Sequence, residues 1–261
     1  MSLVPDFSDK FFRFRACVLF VAKAFFSFFS GGESCVCCGR KAFVVPLCSG
    51  CKSVFFKNSL NEAKARCEVC GKPLVSEIGL CSACRKSPVL RSSDGVFPLS
   101  SYRLWRKTLL FSWKMLGKRS LSSFFAHLVH EKLSALEAEL GCSLAVVPVP
   151  PRPGKIRKKG WDQIEDLCFY LSKGWKVKIL RLLKRNSRKQ QKKLDRVQRL
   201  ENIAGSYSLS PKAGKRSAEI PEKAVLLDDV LTTGSTVESC AALLKAAGVK
   251  EVFVITLFIV D

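Results

Sequence analysis

Val225-Leu226-Leu227-Asp228-Asp229-Val230-Leu231-Thr232-Thr233-Gly234-Ser235-Thr236 is the stretch whose reading decides the fold. Its apolar opening reads as a buried strand that ends on two acids, and a short loop of hydroxyl residues and glycine follows. The loop runs into an amphipathic helix, because Val237, Cys240, Ala241 and Leu244 recur at helical spacing. Gly248 stands where a helix C-cap belongs, and Val252 to Val260 is a second apolar run of strand character. Together they make a βαβ unit whose loop lies where open α/β sheets bind ligands. The expected fold is α/β, a parallel sheet with flanking helices.

The residue types point to a ligand. A helix N-terminus offers unpaired N–H groups and the positive end of a dipole, which together seat a phosphate. Gly234 lets the backbone approach closely, and Thr232, Thr233, Ser235 and Thr236 add neutral donors. Asp228 and Asp229 would repel a phosphate but suit sugar hydroxyls or Mg²⁺. Phosphate on the loop and a diol or metal on the acids describe a ribose 5-phosphate. An ordinary N-cap needs only one Ser or Thr. The segment from Asp228 to Thr236 resembles the 5-phosphoribosyl-1-pyrophosphate (PRPP) motif of type I phosphoribosyltransferases throughout. The resemblance implies that the acids hold the ribose hydroxyls, act in catalysis and serve Mg²⁺, while Thr232 to Thr236 hold the 5-phosphate.

Thirteen cysteines stand in the chain, and eight form Cys-x-x-Cys pairs: Cys35/Cys38, Cys48/Cys51, Cys67/Cys70 and Cys81/Cys84. Gly39 and Gly71 follow the first and third pairs, as a knuckle turn requires. Such spacing supplies two Cys₄ shells for two structural zinc ions. A disulfide scaffold is disfavoured, because a two-residue gap closes a strained ring and nothing else looks secreted. Cys37 is adjacent to a ligand and competes with Cys38 for that role. Cys17, Cys142, Cys168 and Cys240 sit in apolar contexts and read as core.

Charge is the other extreme. The net charge is +22, and residues 152–216 hold 20 Lys or Arg against 5 acids. Such a field implies an anionic partner. Residues 1–32 read as a basic, Phe-rich amphipathic helix. Arg13, Arg15 and Lys23 break its apolar run, so no transmembrane segment is expected, and the chain is placed in the cytoplasm. The alternative is a helix lying on a membrane surface. The double zinc ribbon is expected over residues 33–90 and the phosphoribosyltransferase-like domain over 91–261. In the latter, Val96 to Tyr102 and Leu144 to Val149 read as strands, and Leu104 to Leu116 and Ser120 to Leu140 as helices. His127 and His130 share a helical face, where a surface or core role is favoured over metal binding.

Pro148 to Gln163 forms a second chemical segment. It leaves a strand through a Pro-rich turn into a basic run, and fixed prolines aim Arg152 and Lys155 at a pyrophosphate. With the ribbons, this turn, the Gly160-Trp161-Asp162-Gln163 tetrad and the PRPP motif resemble the ComF family of phosphoribosyltransferase-like proteins, named for DNA uptake in natural transformation. The resemblance runs from Cys35 to the C-terminus, and Gln191, Leu194, Arg196, Arg199, Asn202, Ile203 and Gly205 stand at its mobile-loop spacing. Trp161 replaces the usual Phe and Asp162 the usual Asn. Arg152, Arg188 and Lys193 stand where His, Thr and Gly are common, which makes the loop more basic and less flexible.

Two functions compete. One is a module that binds PRPP and single-stranded DNA and couples DNA import to a helicase or motor partner. Its DNA contacts are Arg157, Lys158, Lys159, Trp161, Lys192, Lys193 and Arg196, with Trp175 and Tyr207 as further stacking platforms. The other is an active phosphoribosyltransferase moving the phosphoribosyl group from PRPP to a nitrogen nucleophile.

Overall fold

The computed structural model describes residues 32–61, 65–103, 105–186, 205–211 and 220–260. The expected N-terminal helix falls outside them but for its last residue, as do Cys17 and the loop carrying Lys192, Lys193 and Arg196.

Two cysteine modules come first. In one, β1 (Glu33–Ser34) and β2 (Lys41–Ala42) form an antiparallel hairpin, and α1 (Ser49–Asn61) starts directly after Cys48. In the other, Arg66 and Pro73 form an antiparallel bridge, and α2 (Ser82–Lys86) starts directly after Cys81. The same turn is built twice. Cys35 N–H donates to Arg40 O at 2.7 Å and Gly39 N–H to Cys35 O at 2.9 Å. Cys67 N–H donates to Lys72 O and Gly71 N–H to Cys67 O, both at 2.8 Å. Gly39 and Gly71 take φ of 75° and 68°, a left-handed conformation that side chains resist.

The α/β layer follows in chain order: β3 (Gly95–Ser101), α3 (Trp105–Lys114), α4 (Leu121–Leu140), β4 (Ala145–Pro148), α5 (Lys155–Lys159), α6 (Gln163–Trp175), β5 (Leu183–Arg185), β6 (Tyr207–Leu209), β7 (Lys223–Leu231), α7 (Ser235–Ala246) and β8 (Glu251–Ile259). The sheet is parallel throughout, in the order β3-β8-β7-β4. Ile179 bridges in parallel to Val146 on the outer side of β4. Strand β7 is apolar and buried over residues 224–227 and β8 is buried over residues 252–259, as expected of a parallel sheet covered on both faces. A separate antiparallel pair, β5 with β6, stands outside the sheet.

Helices α4 and α6 cover one face. Phe124, Phe125, Leu128 and Leu133 pack there with Leu167 and Leu171. Helix α7 covers the other, through Val237, Cys240, Ala241 and Leu244. The cysteine modules are fused to this body. Phe55 of α1 is fully buried, edge-on to Phe124 at 5.4 Å and Phe258 at 6.4 Å. The second knuckle docks on β3. A Cβ on Gly71 would lie 2.4 Å from both Val96 O and Pro98 Cδ, and Arg66 Nη1 donates to Gly71 O at 3.1 Å and to Pro98 O at 3.2 Å. One core thus runs across residue 90, where the ribbon and α/β segments meet in sequence.

Candidate functional site

Strands β4 and β7 are neighbours, yet their connections depart in opposite directions. From β4 the chain passes through α6 to Ile179 on the outer edge; from β7 it passes through α7 to β8. The two helices lie on opposite faces, so a crevice opens at the carboxyl ends of β4 and β7. This is the switch point at which open α/β sheets hold ligands. Val149 N–H donates to Leu227 O at 3.0 Å, which sets the Pro-rich turn beside Asp228.

Asp228 and Asp229 close β7. Burial first, and the Asp229 charge second, push the Asp228 carboxyl up to about 7. Asp228 Oδ1 accepts from Asp229 N–H at 2.8 Å. Asp229 Oδ2 lies 2.6 Å from Lys114 Nζ, at the C-terminus of α3. Sequence reasoning missed Lys114, since a lysine ending a helix reads as an ordinary partner of its dipole. The Mg²⁺ expected on these acids therefore meets a carboxylate oxygen already held by an ammonium. Asp229 so arranged suits a sugar hydroxyl better than direct metal ligation.

Thr232 and Thr233 are exposed, and the Thr233 and Ser235 hydroxyls lie 3.0 Å apart at the start of α7. Gly234 has φ 83°, and an added Cβ would lie 3.1 Å from Leu90 Cδ2. Its glycine is set by backbone conformation and by Leu90 above it, not only by ligand approach. Glu238 of α7 holds the same linker, accepting from Arg91 N–H at 2.7 Å, Ser92 N–H at 3.1 Å and Ser92 Oγ at 2.7 Å. Thr236 is hydrogen-bonded to the Tyr207 hydroxyl.

The basic turn divides into an inner and an outer half. Lys155 reaches inward to Asp162 and Gln163, both almost fully buried, and Asp162 also caps α6 through Ile164 N–H and Glu165 N–H. The Gly-Trp-Asp-Gln tetrad is thus a helix cap with an internal ion pair, and Gln163 Nε2 continues to Lys114 O at 3.5 Å. Arg152, Arg157, Lys158 and Lys159 are exposed. Arg152 and Arg157 line a cleft of about 460 Å³ with Pro151, Pro153, Gly154, Ile156 and Arg185. Arg185 comes from β5 and lies over the Tyr207 ring at 5.2 Å. Only folding brings it to the turn; no local signal marks it. Asp228 and Arg185 both act electrostatically on Tyr207 and on Cys240, so acids and arginine cleft share one neighbourhood.

The stacking residues sort differently from expectation. Tyr207 is buried beneath Arg185 and offers no face to a base. Trp175 carries His127 and His130 stacked at 6.0 and 4.6 Å, the structural role favoured for those histidines. Trp161 is half-buried between Trp113 and Arg119 and lines a second cleft of about 520 Å³, with Phe169 and Tyr170 on its wall. Ile156 lines both clefts.

The eight paired cysteines converge in the expected sets, Cys35/Cys38/Cys48/Cys51 and Cys67/Cys70/Cys81/Cys84, with the ligating atoms of each set within 4.8 Å of one another. Zn–S bonds of about 2.3 Å in a tetrahedron put the sulfurs about 3.8 Å apart. Cys38 and Cys48 sulfurs are 3.6 Å apart and those of Cys70 and Cys81 3.8 Å, so both shells fit a metal ion of zinc's size. Cys37 stays out of the shell. Burial pushes its thiol up to about 12, whereas the Arg40 guanidinium brings Cys38 down to about 6. No disulfide joins the twelve described cysteines, and Cys168 and Cys240 are buried as expected. Among the described residues no helix is long and apolar enough to cross a membrane.

No protein-family model matches the chain. Competence protein ComFC of Streptococcus pneumoniae is 27% identical over 209 residues, which cover 79% of this chain and 84% of that protein. Competence protein F of Haemophilus influenzae is 27% identical over 213 residues, covering 79% and 87%. These similarities run through most of the length of each partner, and the chain combines paired-cysteine modules, a Pro-rich basic turn and an acid-threonine-glycine loop at a sheet switch point. By sequence similarity over most of its length and by this architecture, the chain is similar to the competence proteins of the ComF family.

Proposed function

We propose that this protein binds PRPP at the β4–β7 crevice and single-stranded DNA along the adjoining basic face, and that it acts in DNA uptake during natural competence. One observation carries the reading. The acid pair, the hydroxyl-glycine loop and a three-arginine cleft meet at one switch point, which matches diol, 5-phosphate and pyrophosphate in a single ligand. The competence relatives supply the biological setting. The two cysteine shells hold zinc in a structural role. Arg157, Lys158 and Lys159, exposed on α5, supply phosphate contacts for DNA, and a helicase or motor partner would take up the strand.

The transferase reading draws on the aromatic cleft of Trp161, Phe169 and Tyr170, which shares Ile156 with the arginine cleft and offers a planar acceptor somewhere to stack. Calorimetry with PRPP tests the shared premise. Pyrophosphate release with and without candidate bases separates the two readings. PRPP binding without turnover, together with salt-sensitive DNA binding, supports the uptake module. Turnover with a base moves the conclusion to the enzyme, and absence of PRPP binding overturns both.

A further inference from the structure

The acid pair at the end of β7 has a partner from a distant part of the chain. Lys114 ends α3, and its Nζ lies 2.6 Å from Asp229 Oδ2 with both side chains largely shielded, 28% and 19% exposed. The contact is positioned from behind, because Gln163 Nε2 donates to the Lys114 carbonyl at 3.5 Å. A second lysine in the same mouth, Lys155, is bound by Asp162 and Gln163. Three carboxylates, Asp162, Asp228 and Asp229, thus face two built-in ammonium groups.

From this geometry we infer that Lys114 is a resident cation, standing where a divalent metal would otherwise bridge the acid pair. Mg²⁺ demands octahedral oxygen ligands at about 2.0–2.1 Å and gives up its waters reluctantly. It cannot share an oxygen with an ammonium in hydrogen-bond contact without strong repulsion between the cations. A sugar hydroxyl can share it. Such a hydroxyl donates to a carboxylate oxygen and accepts from the ammonium, so carboxylate and lysine together form a donor–acceptor pair for a diol. The acids then recognise a polyhydroxylated ligand without a metal bridge, and any divalent ion arrives with the ligand's phosphates. The ligand half of this inference rests on the PRPP reading; the metal half does not.

The test uses Mn²⁺ alone as probe, on the full chain with both cysteine shells loaded with zinc, and counts bound ion by electron paramagnetic resonance. Wild-type protein should bind no Mn²⁺ that Asp229→Asn removes. Lys114→Met and Lys114→Gln should each create one Mn²⁺ site at least tenfold tighter than anything in wild type, and Lys114→Met with Asp229→Asn should lose it. Lys114→Arg should behave as wild type. Thermal unfolding checks that each variant is folded. The inference is overturned if wild type already binds Mn²⁺ in an Asp229-dependent way, a result decisive even where the lysine variants misfold. It is equally overturned if folded Lys114→Met and Lys114→Gln gain no ion. A parallel PRPP titration with and without Mg²⁺ keeps the two ideas apart. Failure of PRPP to bind wild type removes the proposed ligand and leaves the Mn²⁺ result standing.

Discussion

Replacing Phe55 by alanine should destabilise the α/β body as well as the cysteine module that carries it. Phe55 is fully buried, with its ring edge-on to Phe124 and Phe258 and the Arg106 guanidinium 5.7 Å from its centroid. Truncating a buried phenylalanine costs about 3–5 kcal/mol, and two lost ring-edge contacts place this site toward the upper end. At about 2–4 °C per kcal/mol for a chain of this size, the unfolding midpoint should fall by roughly 6–20 °C. The assay is thermal unfolding followed in parallel by tryptophan fluorescence and by release of metal to a colorimetric chelator. The four tryptophans all lie beyond residue 90, so fluorescence reports the α/β body. Shared packing predicts that both signals move together. If the alanine variant releases metal early while the fluorescence midpoint moves by no more than about 1 °C, the modules are energetically separate and the shared-core argument is wrong.

Cys70→Ser should unfold the second knuckle, since structural zinc contributes roughly 10–16 kcal/mol to such modules; metal content should fall from two ions per chain to one. Arg185→Ala should weaken pyrophosphate or PRPP binding roughly tenfold or more by removing one charged donor from the cleft. Lys155→Met should instead cost about 3–5 kcal/mol of stability, because buried Asp162 loses its counter-ion; calorimetry and denaturant unfolding separate the two. Neutralising Arg157, Lys158 and Lys159 together should flatten the logarithmic salt dependence of single-stranded DNA binding by about two. Burial first, and His127 second, hold the His130 imidazole below its ordinary range. The unfolded chain therefore binds more protons just below pH 6.5, so this contribution to stability is present above that pH and is lost as pH falls. His130→Gln should remove that falling limb and leave the opposite slope from Glu131, whose carboxyl is raised chiefly by burial; urea unfolding between pH 5 and 7.5 reads it.

The parallel sheet, the turn from β7 into α7 and both cysteine shells were legible because each is written in contiguous residues. Apolar runs mark β7 and β8, and Cys-x-x-Cys spacing marks the knuckles. Tertiary partnerships were not legible. Lys114 and Arg185 reach the site from α3 and β5, and neither lies in a motif. Lys155 looks like its exposed neighbours Lys158 and Lys159, yet the left-handed Gly154 and Gly160 bracket a short helix that turns it toward Asp162. Tyr207 read as a stacking platform because nothing in an aromatic letter tells which side of it is covered. Packing between the segments on either side of residue 90, through Phe55 and Gly71, was likewise not legible.

The linker between the second knuckle and β3 has a mechanical meaning. Leu90 rests on Gly234, and one carboxylate, that of Glu238, fastens Arg91 and Ser92 to the first turn of α7. The cysteine module and the turn that leads into α7 therefore do not have separate degrees of freedom. Load applied to the module by anything that grips it is delivered within one residue's reach of the loop, and any displacement of the loop is delivered back along the same clamp to the outer surface.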